Sequence, residues 1–110
     1  MINELLKRIE RLEYHERLLV DLLQGSNKLF TKLIISKNLD ESEVKEFHRI
    51  CENLNNKMEN QKAEGFLYFH PLLKEFSAKI SPKLDISETI HACIEENLYV
   101  DLMLELRKYL

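Results

Sequence analysis

The stretch LDESEVKEFHRICENLNNKMENQKAEG, residues 39–65, carries the clearest helix signal in the chain. Asp40 followed by Glu43 is the pattern of a capping box, in which each side chain accepts a hydrogen bond from the backbone N–H of the other residue. Apolar residues then recur three and four positions apart, as on one face of a helix: Val44, Phe47, Cys51, Leu54 and Met58. The pattern predicts a long third helix over residues 40–64, ended by Gly65.

The same periodicity on both sides of this stretch predicts five more helices, over residues 2–24, 27–37, 71–80, 85–96 and 98–109. Their expected caps are Ser26 or Asn27, His70 ahead of Pro71, and Asp85. Only two glycines and two prolines occur in 110 residues, which disfavours a turn-rich β-fold. The sequence therefore predicts a single all-α domain over residues 1–110, a compact array of about six helices with long first and third helices.

The charge balance argues against nucleic acid as a partner. The chain has 16 Lys and Arg against 19 Asp and Glu, and the basic residues of the first helix are interleaved with acidic ones. Phosphate backbones require clustered cations, so nucleic-acid binding is not expected. No apolar run is long enough for a signal peptide or a membrane span, and Cys51 and Cys93 read as two buried, reduced thiols. These features predict a cytoplasmic protein without membrane contact.

The first helix carries an apolar repeat that exceeds what one neighbouring helix needs. Ile2, Leu5, Ile9 and Leu12 follow heptad spacing, with Ile at one position and Leu at the other, and we call these four residues the seam. Glu16 stands where the next apolar residue is due and interrupts the repeat. The pattern predicts that the seam joins copies of the chain into a homo-oligomer, a dimer or a trimer.

A metal or small-ligand site is the alternative function. Glu88 and His91 have the Glu-x-x-His spacing that places a carboxylate and an imidazole on one side of a helix, as in di-iron bundles, but the sequence has no second such pair. His48, on another helix, could complete this site, or could form half of a zinc site with Cys51 and Glu52. The competing interpretation is that Cys51 is a thiol of the hydrophobic core and that His48 lies beside it at the edge of the core.

No catalytic motif is present. Both glycines end helices, so no loop cradles a phosphate, and no serine stands in a nucleophile elbow. The chain is therefore expected to be a non-enzymatic structural, interaction or regulatory protein without a cofactor. The apolar connector over residues 66–69 (Phe-Leu-Tyr-Phe) is expected to cross the core as a buried linker; the alternative is that it lines a groove for a partner.

Three ordered stretches carry a family resemblance: RIERLEY at residues 8–14, QKAEGF at 61–66 and KLDISETI at 83–90. Together with Ile50-Cys51 and Leu98-Tyr99, they make the chain resemble the YhaI-like family of uncharacterised Bacillus proteins. The resemblance extends over nearly the whole chain. It implies an all-helical cytosolic bacterial protein with no assigned activity, and it brings no functional residues with it.

Overall fold

The computed structural model describes residues 1–25 and 28–110, and in that part of the chain it contains helices and no strand. These described residues form six helices: α1 (Ile2–Gln24), α2 (Leu29–Ser36), α3 (Glu41–Ala63), α4 (His70–Lys79), α5 (Ile86–Glu95) and α6 (Val100–Arg107). The all-α architecture and the long first and third helices are thereby confirmed. Each bound lies within two residues of the predicted one; the cap predicted at Ser26 or Asn27 lies outside the described residues.

The ends of α3 follow the predicted chemistry. At its start, Asp40 Oδ1 accepts a hydrogen bond from the Glu43 N–H (2.8 Å), and Glu43 Oε1 accepts one from the Asp40 N–H (3.2 Å). At its end, Gly65 has a φ of 92°, and the Phe66 N–H bonds the carbonyl oxygen of Gln61 at 2.9 Å. This is the Schellman arrangement, which needs a left-handed residue where Gly65 stands. Local sequence alone therefore sets the length of α3.

Two other helix starts differ in part from the sequence pattern, which predicts a second capping box at Asp85 and Glu88 and a cap at His70. Asp85 caps α5 by accepting from the Glu88 N–H at 2.9 Å, but the Glu88 carboxylate turns outward to Lys37 at 3.3 Å. His70 is the first residue of α4 and not its cap, because the chain enters the helix one residue earlier, at Phe69. Pro71 still lies in the first turn, where its missing N–H leaves no intrahelical bond unmade.

The core lies between α3 and the shorter helices, with aromatic rings at its centre. Phe30 of α2 stacks on Phe47 of α3 with ring centroids 4.7 Å apart, and Phe76 of α4 meets Phe47 edge-on at 6.1 Å. All five residues of the predicted face of α3 are buried. Cys51 and Cys93 are free, buried thiols, as predicted. Burial raises the pKa of Cys93 to about 12 and also raises the pKa of Cys51, so both thiols stay protonated.

A partly buried carboxylate connects α2 to α5. Glu96, just after α5, accepts hydrogen bonds from the Thr31 N–H at 2.9 Å and from the Thr31 hydroxyl at 2.9 and 3.1 Å. The bonded N–H belongs to the first turn of α2, where a backbone donor lacks an intrahelical partner and a negative charge is favourable. Thr89 of α5 is also fully buried, but its Oγ1 has no hydrogen-bond partner among the described residues.

The prediction of a buried connector between α3 and α4 is wrong. Phe66, Leu67 and Tyr68 are 54%, 87% and 63% exposed, and only Phe69 enters the core. The cause is the turn at Gly65, which directs the chain outward before Phe69 returns to donate its N–H to the Tyr109 hydroxyl at 3.1 Å. Apolar composition alone did not reveal the direction of this turn.

Candidate interaction surface

Helix α1 extends beyond the rest of the fold. With 23 residues it is about 35 Å long, a large part of the 51 Å length of the molecule. Residues 1–10 are all exposed, and Arg11 is the first residue with partial burial. Nearly three turns of the helix therefore stand in solvent. None of the helices in residues 1–25 and 28–110 has the length and apolar character that a bilayer crossing requires.

The second half of α1 is attached to the body of the protein by one side only. Tyr14 and His15 are buried there, and Leu18 packs against the core. His15 Nε2 lies 2.7 Å from the carbonyl oxygen of Leu39, the residue before the capping box of α3. A carbonyl only accepts, so Nε2 carries the proton of this bond. The bond fixes α1 beside the start of α3.

Arg17 adds a weaker contact on the same side. Its guanidinium carbon lies 5.7 Å from the centre of the Tyr14 ring, and its Nη2 donates to the Glu41 carboxylate at 3.3 Å. Both charged side chains are more than half exposed, so this ion pair contributes little to stability. Burial raises the pKa of Tyr14 above its usual value, in keeping with a ring packed under the helix. Tyr14 and His15 are thus the two buried residues among those described in α1.

The opposite side of α1 is an exposed apolar surface, which we call the outer face. Every member is between 50% and 87% exposed: Ile2, Leu5, Leu6, Ile9, Leu12, Leu19, Val20 and Leu23. At 100° per residue, the centre of this face lies about 150° around the helix from the side that carries Tyr14, His15 and Leu18. The four seam residues and Leu6 form its N-terminal part. An exposed apolar surface of this extent is typical of an interaction site.

Glu16 divides the outer face into two parts. It is exposed and lies between Leu12 and Leu19 on the same side of the helix. The interruption seen in the sequence is therefore a single charged position within an otherwise continuous apolar face. Beyond it, the face continues through Leu19, Val20 and Leu23 to the end of α1.

A charged cleft of about 500 Å³ separates α1 from the start of α3. Its lining contains four basic and four acidic side chains: Lys7, Arg11, Arg17, Lys45, Glu10, Glu13, Asp40 and Glu41. Opposite charges in equal number do not favour an anionic or a cationic ligand. The cleft is best explained as the solvated space beneath the protruding half of α1.

The structure does not bring the candidate metal ligands together. Glu88 and His91 are both exposed on α5, where Glu88 pairs with Lys37, whereas His48 lies on α3 beside Tyr99. In the described part of the chain, no three His, Cys, Asp or Glu side chains are grouped as a metal ion requires. A metal or small-ligand site near Glu88 and His91 stays a prediction that the geometry does not strengthen.

His48 has a structural partner that the sequence did not indicate. Its Nδ1 lies 2.8 Å from the hydroxyl oxygen of Tyr99, whose backbone is left-handed at a φ of 49°. This conformation is costly for a bulky residue, and the hydrogen bond and ring packing offset the strain. Burial raises the pKa of Tyr99 to about 12, so the hydroxyl stays neutral. The pair joins the start of α6 to the middle of α3.

Sequence reasoning missed the attachment through Tyr14 and His15. The stretch Tyr14-His15-Glu16 reads as a polar interruption beside the seam. A usable signal was present, because Tyr14, Leu18 and Leu22 are spaced by four residues and form a second apolar row. Two apolar rows on nearly opposite sides indicate a helix with two neighbours.

One comparison with known proteins bears on identity. A family model described as a protein of unknown function (DUF1878) matches residues 2–110. The chain therefore belongs to the DUF1878 family. The matched span includes the whole of α1, so the outer face is part of the region that defines the family and is not an addition to it.

Proposed function

We propose that this member of the DUF1878 family is a non-enzymatic structural or regulatory module whose copies associate through the outer face of α1 into a dimer or a trimer. One observation supports the proposal. Eight apolar residues occupy one exposed side of a helix whose other side is already used to attach it to the body. Within the described residues, all eight side chains are at least half exposed and so are open to a second copy.

The energy of covering this face is sufficient for association. Burying a whole Leu or Ile contributes about 1.5–3 kcal/mol, so covering a half-exposed one contributes about 1 kcal/mol. Eight such residues in each of two copies give about 16 kcal/mol, against an association cost of about 4–15 kcal/mol. Covering the four seam residues alone contributes about half of this energy, which lies within the range of the association cost. We therefore expect the other four members of the outer face, Leu6, Leu19, Val20 and Leu23, to contribute to the association as well.

The exposed half of α1 also needs support. Isolated helices shorter than about 12–15 residues are marginal in water, and residues 1–10 are all exposed, so their own helical backbone bonds are their main support. Contact with a second copy would supply the missing tertiary packing. Helix formation in this segment and association of the chains should therefore be coupled.

The mass in solution tests the proposal. The chain has a mass of 13.1 kDa, and light scattering at micromolar concentration should give two or three times that value. Leu12→Arg should dissociate the assembly, because it places a charge in an apolar contact at a cost of about 3 kcal/mol or more. Glu10→Arg is the matched control, since it introduces the same side chain outside the outer face. A single-chain mass for the unmodified protein would end the proposal.

A cytoplasmic location is part of the same proposal. Free thiols at two buried core positions suit a reducing compartment. The narrower relationship, to the YhaI-like proteins of Bacillus, rests on the ordered sequence stretches and agrees with this location.

A further inference from the structure

We infer that the associated copies run parallel and in register, so that Arg8 of one copy faces Glu13 of the next. The inference rests on the association proposed above and concerns its geometry. Heptad positions are named a to g, and the seam places Ile2 and Ile9 at a and Leu5 and Leu12 at d. Isoleucine at a with leucine at d is the combination that packs well between parallel helices.

Charge pairing across the seam supports the parallel orientation. In parallel helices, a residue at g lies near the e residue five positions further along the neighbouring chain. Arg8 occupies g and Glu13 occupies e, so the pair has opposite charges. Both side chains are exposed, and within the described residues neither forms an ion pair, including Glu13 where it borders the charged cleft beside α3. They are therefore available to a second copy on both sides of the seam.

The antiparallel orientation lacks such a pair. There, g residues face g residues and e residues face e residues. The g positions hold Arg8, His15 and Leu22, and the e positions hold Leu6, Glu13 and Val20, so neither set contains opposite charges. His15 is moreover buried against the carbonyl of Leu39.

The body of the protein leaves room for a parallel neighbour. It is attached through Tyr14, His15 and Leu18, on the side of α1 that faces away from the seam. In a parallel assembly the bodies lie at the same end and on the outside of the paired helices. The outer face then stays accessible along the whole length of α1.

Charge reversal tests the pairing. Arg8→Glu and Glu13→Arg each place like charges opposite one another at every contact, and each should weaken association about tenfold, measured by sedimentation equilibrium. The double variant restores opposite charges and should return to within about threefold of the unmodified protein. Lys7→Glu is the matched control, because it makes the same charge change outside the seam and should leave association within about twofold.

Distances between spin labels test the orientation directly. With Asn3→Cys, labels in a parallel assembly lie within about 25 Å of each other, whereas antiparallel helices would separate them by about 30 Å or more. The native cysteines are buried and protonated, so the label attaches to the new residue. Labels at Glu10→Cys, near the middle of the helix, should be close in both orientations and serve as the control.

The results separate this inference from the proposed function. If Leu12→Arg dissociates the protein, but the double charge variant associates no better than the single ones or the Asn3 labels are far apart, then the parallel register is wrong and the association stands. If the unmodified chain is monomeric, the association itself is wrong. Rescue by the double variant together with short Asn3 distances supports the inference.

Discussion

Two buried threonines stand in opposite hydrogen-bonding situations, and the same substitution at each should have opposite effects. Valine has nearly the shape of threonine but no hydroxyl. Thr89 is 0% exposed, and its hydroxyl has no partner among the described residues, whereas Thr31 is 8% exposed and donates to Glu96. We expect Thr89→Val to raise the free energy of unfolding and Thr31→Val to lower it.

The hydrogen bonds set the magnitudes. A buried donor without a partner costs about 1–3 kcal/mol, and an apolar group of the same shape removes that cost, so Thr89→Val should stabilise the fold by about 1 kcal/mol. The Thr31 hydroxyl lies 2.9 and 3.1 Å from the two carboxylate oxygens of Glu96. Hydrogen bonds to charged groups contribute about 1.5–3 kcal/mol. Since the Thr31 N–H keeps its own bond to Glu96, Thr31→Val should cost about 2 kcal/mol.

Urea denaturation followed by far-UV circular dichroism measures both effects. A difference of about 3 kcal/mol between the variants corresponds to denaturation midpoints separated by more than about 1 M urea for a protein of this size. Both substitutions should be made in the Leu12→Arg background, so that association does not contribute to the apparent stability. Midpoints displaced in the same direction by similar amounts would refute the hydrogen-bond reasoning, because the two sites would then respond to the change of side chain alone.

The other two predictions concern the outer face and the start of α3. Glu16→Leu replaces the charged position of the outer face with an apolar side chain and should strengthen association at least tenfold in sedimentation experiments. Glu10→Leu makes the same change outside the outer face and should not strengthen association. Equal effects of the two variants would show that added hydrophobicity acts without regard to position. Asp40→Ala removes the capping box and should cost about 1–2 kcal/mol in urea denaturation at pH 7. Burial raises the pKa of Asp40, but hydrogen bonds from Glu43 and Ser42 outweigh this effect and hold the pKa below its ordinary value of 3.8. The stabilisation by the capping box is therefore complete above pH 3.8 and is lost as the pH falls below that value. A difference between the two proteins that persists unchanged well below pH 3.8 would contradict this assignment.

The helices could be predicted from the sequence because their ends are local. The capping box of Asp40 and Glu43 and the left-handed Gly65 each involve residues within five positions of one another. The spacing of apolar residues likewise predicted which side of α3 is buried, since a helix in a globular protein must cover its apolar face. Such features depend little on which other helices surround them, and they proved correct.

The features that were missed depend on contacts between distant residues. The bond from His15 to Leu39 spans 24 positions, and the one between His48 and Tyr99 spans 51. No periodic pattern in the sequence predicts either hydrogen bond. The spacing of Tyr14 and Leu18 indicated only that this side of α1 contacts another part of the fold. The prediction for the connector over residues 66–69 was wrong because composition indicates how apolar a segment is, but not whether it turns toward the core or toward solvent.

The candidate surface was partly visible in the sequence. The seam could be identified from spacing, but whether it faced the core or the solvent could not, because an apolar stripe looks the same in both cases. Only the position of the body, on the side of Tyr14, resolves that question. The spacing of Leu19 and Leu23 past Glu16 was also visible in the sequence, but their exposure to solvent was not.

The separation of the two sides of α1 has a consequence for engineering. Substitutions at Ile2, Leu5 or Ile9 alter the surroundings of no core residue, and substitutions at Tyr14 or His15 leave those apolar side chains in place. The exposed apolar residues of α1 and the residues that attach it to the core are thus separate sets of positions on one helix. The exposed apolar residues could therefore be redesigned to bind a different helix without changing the residues that hold the domain together.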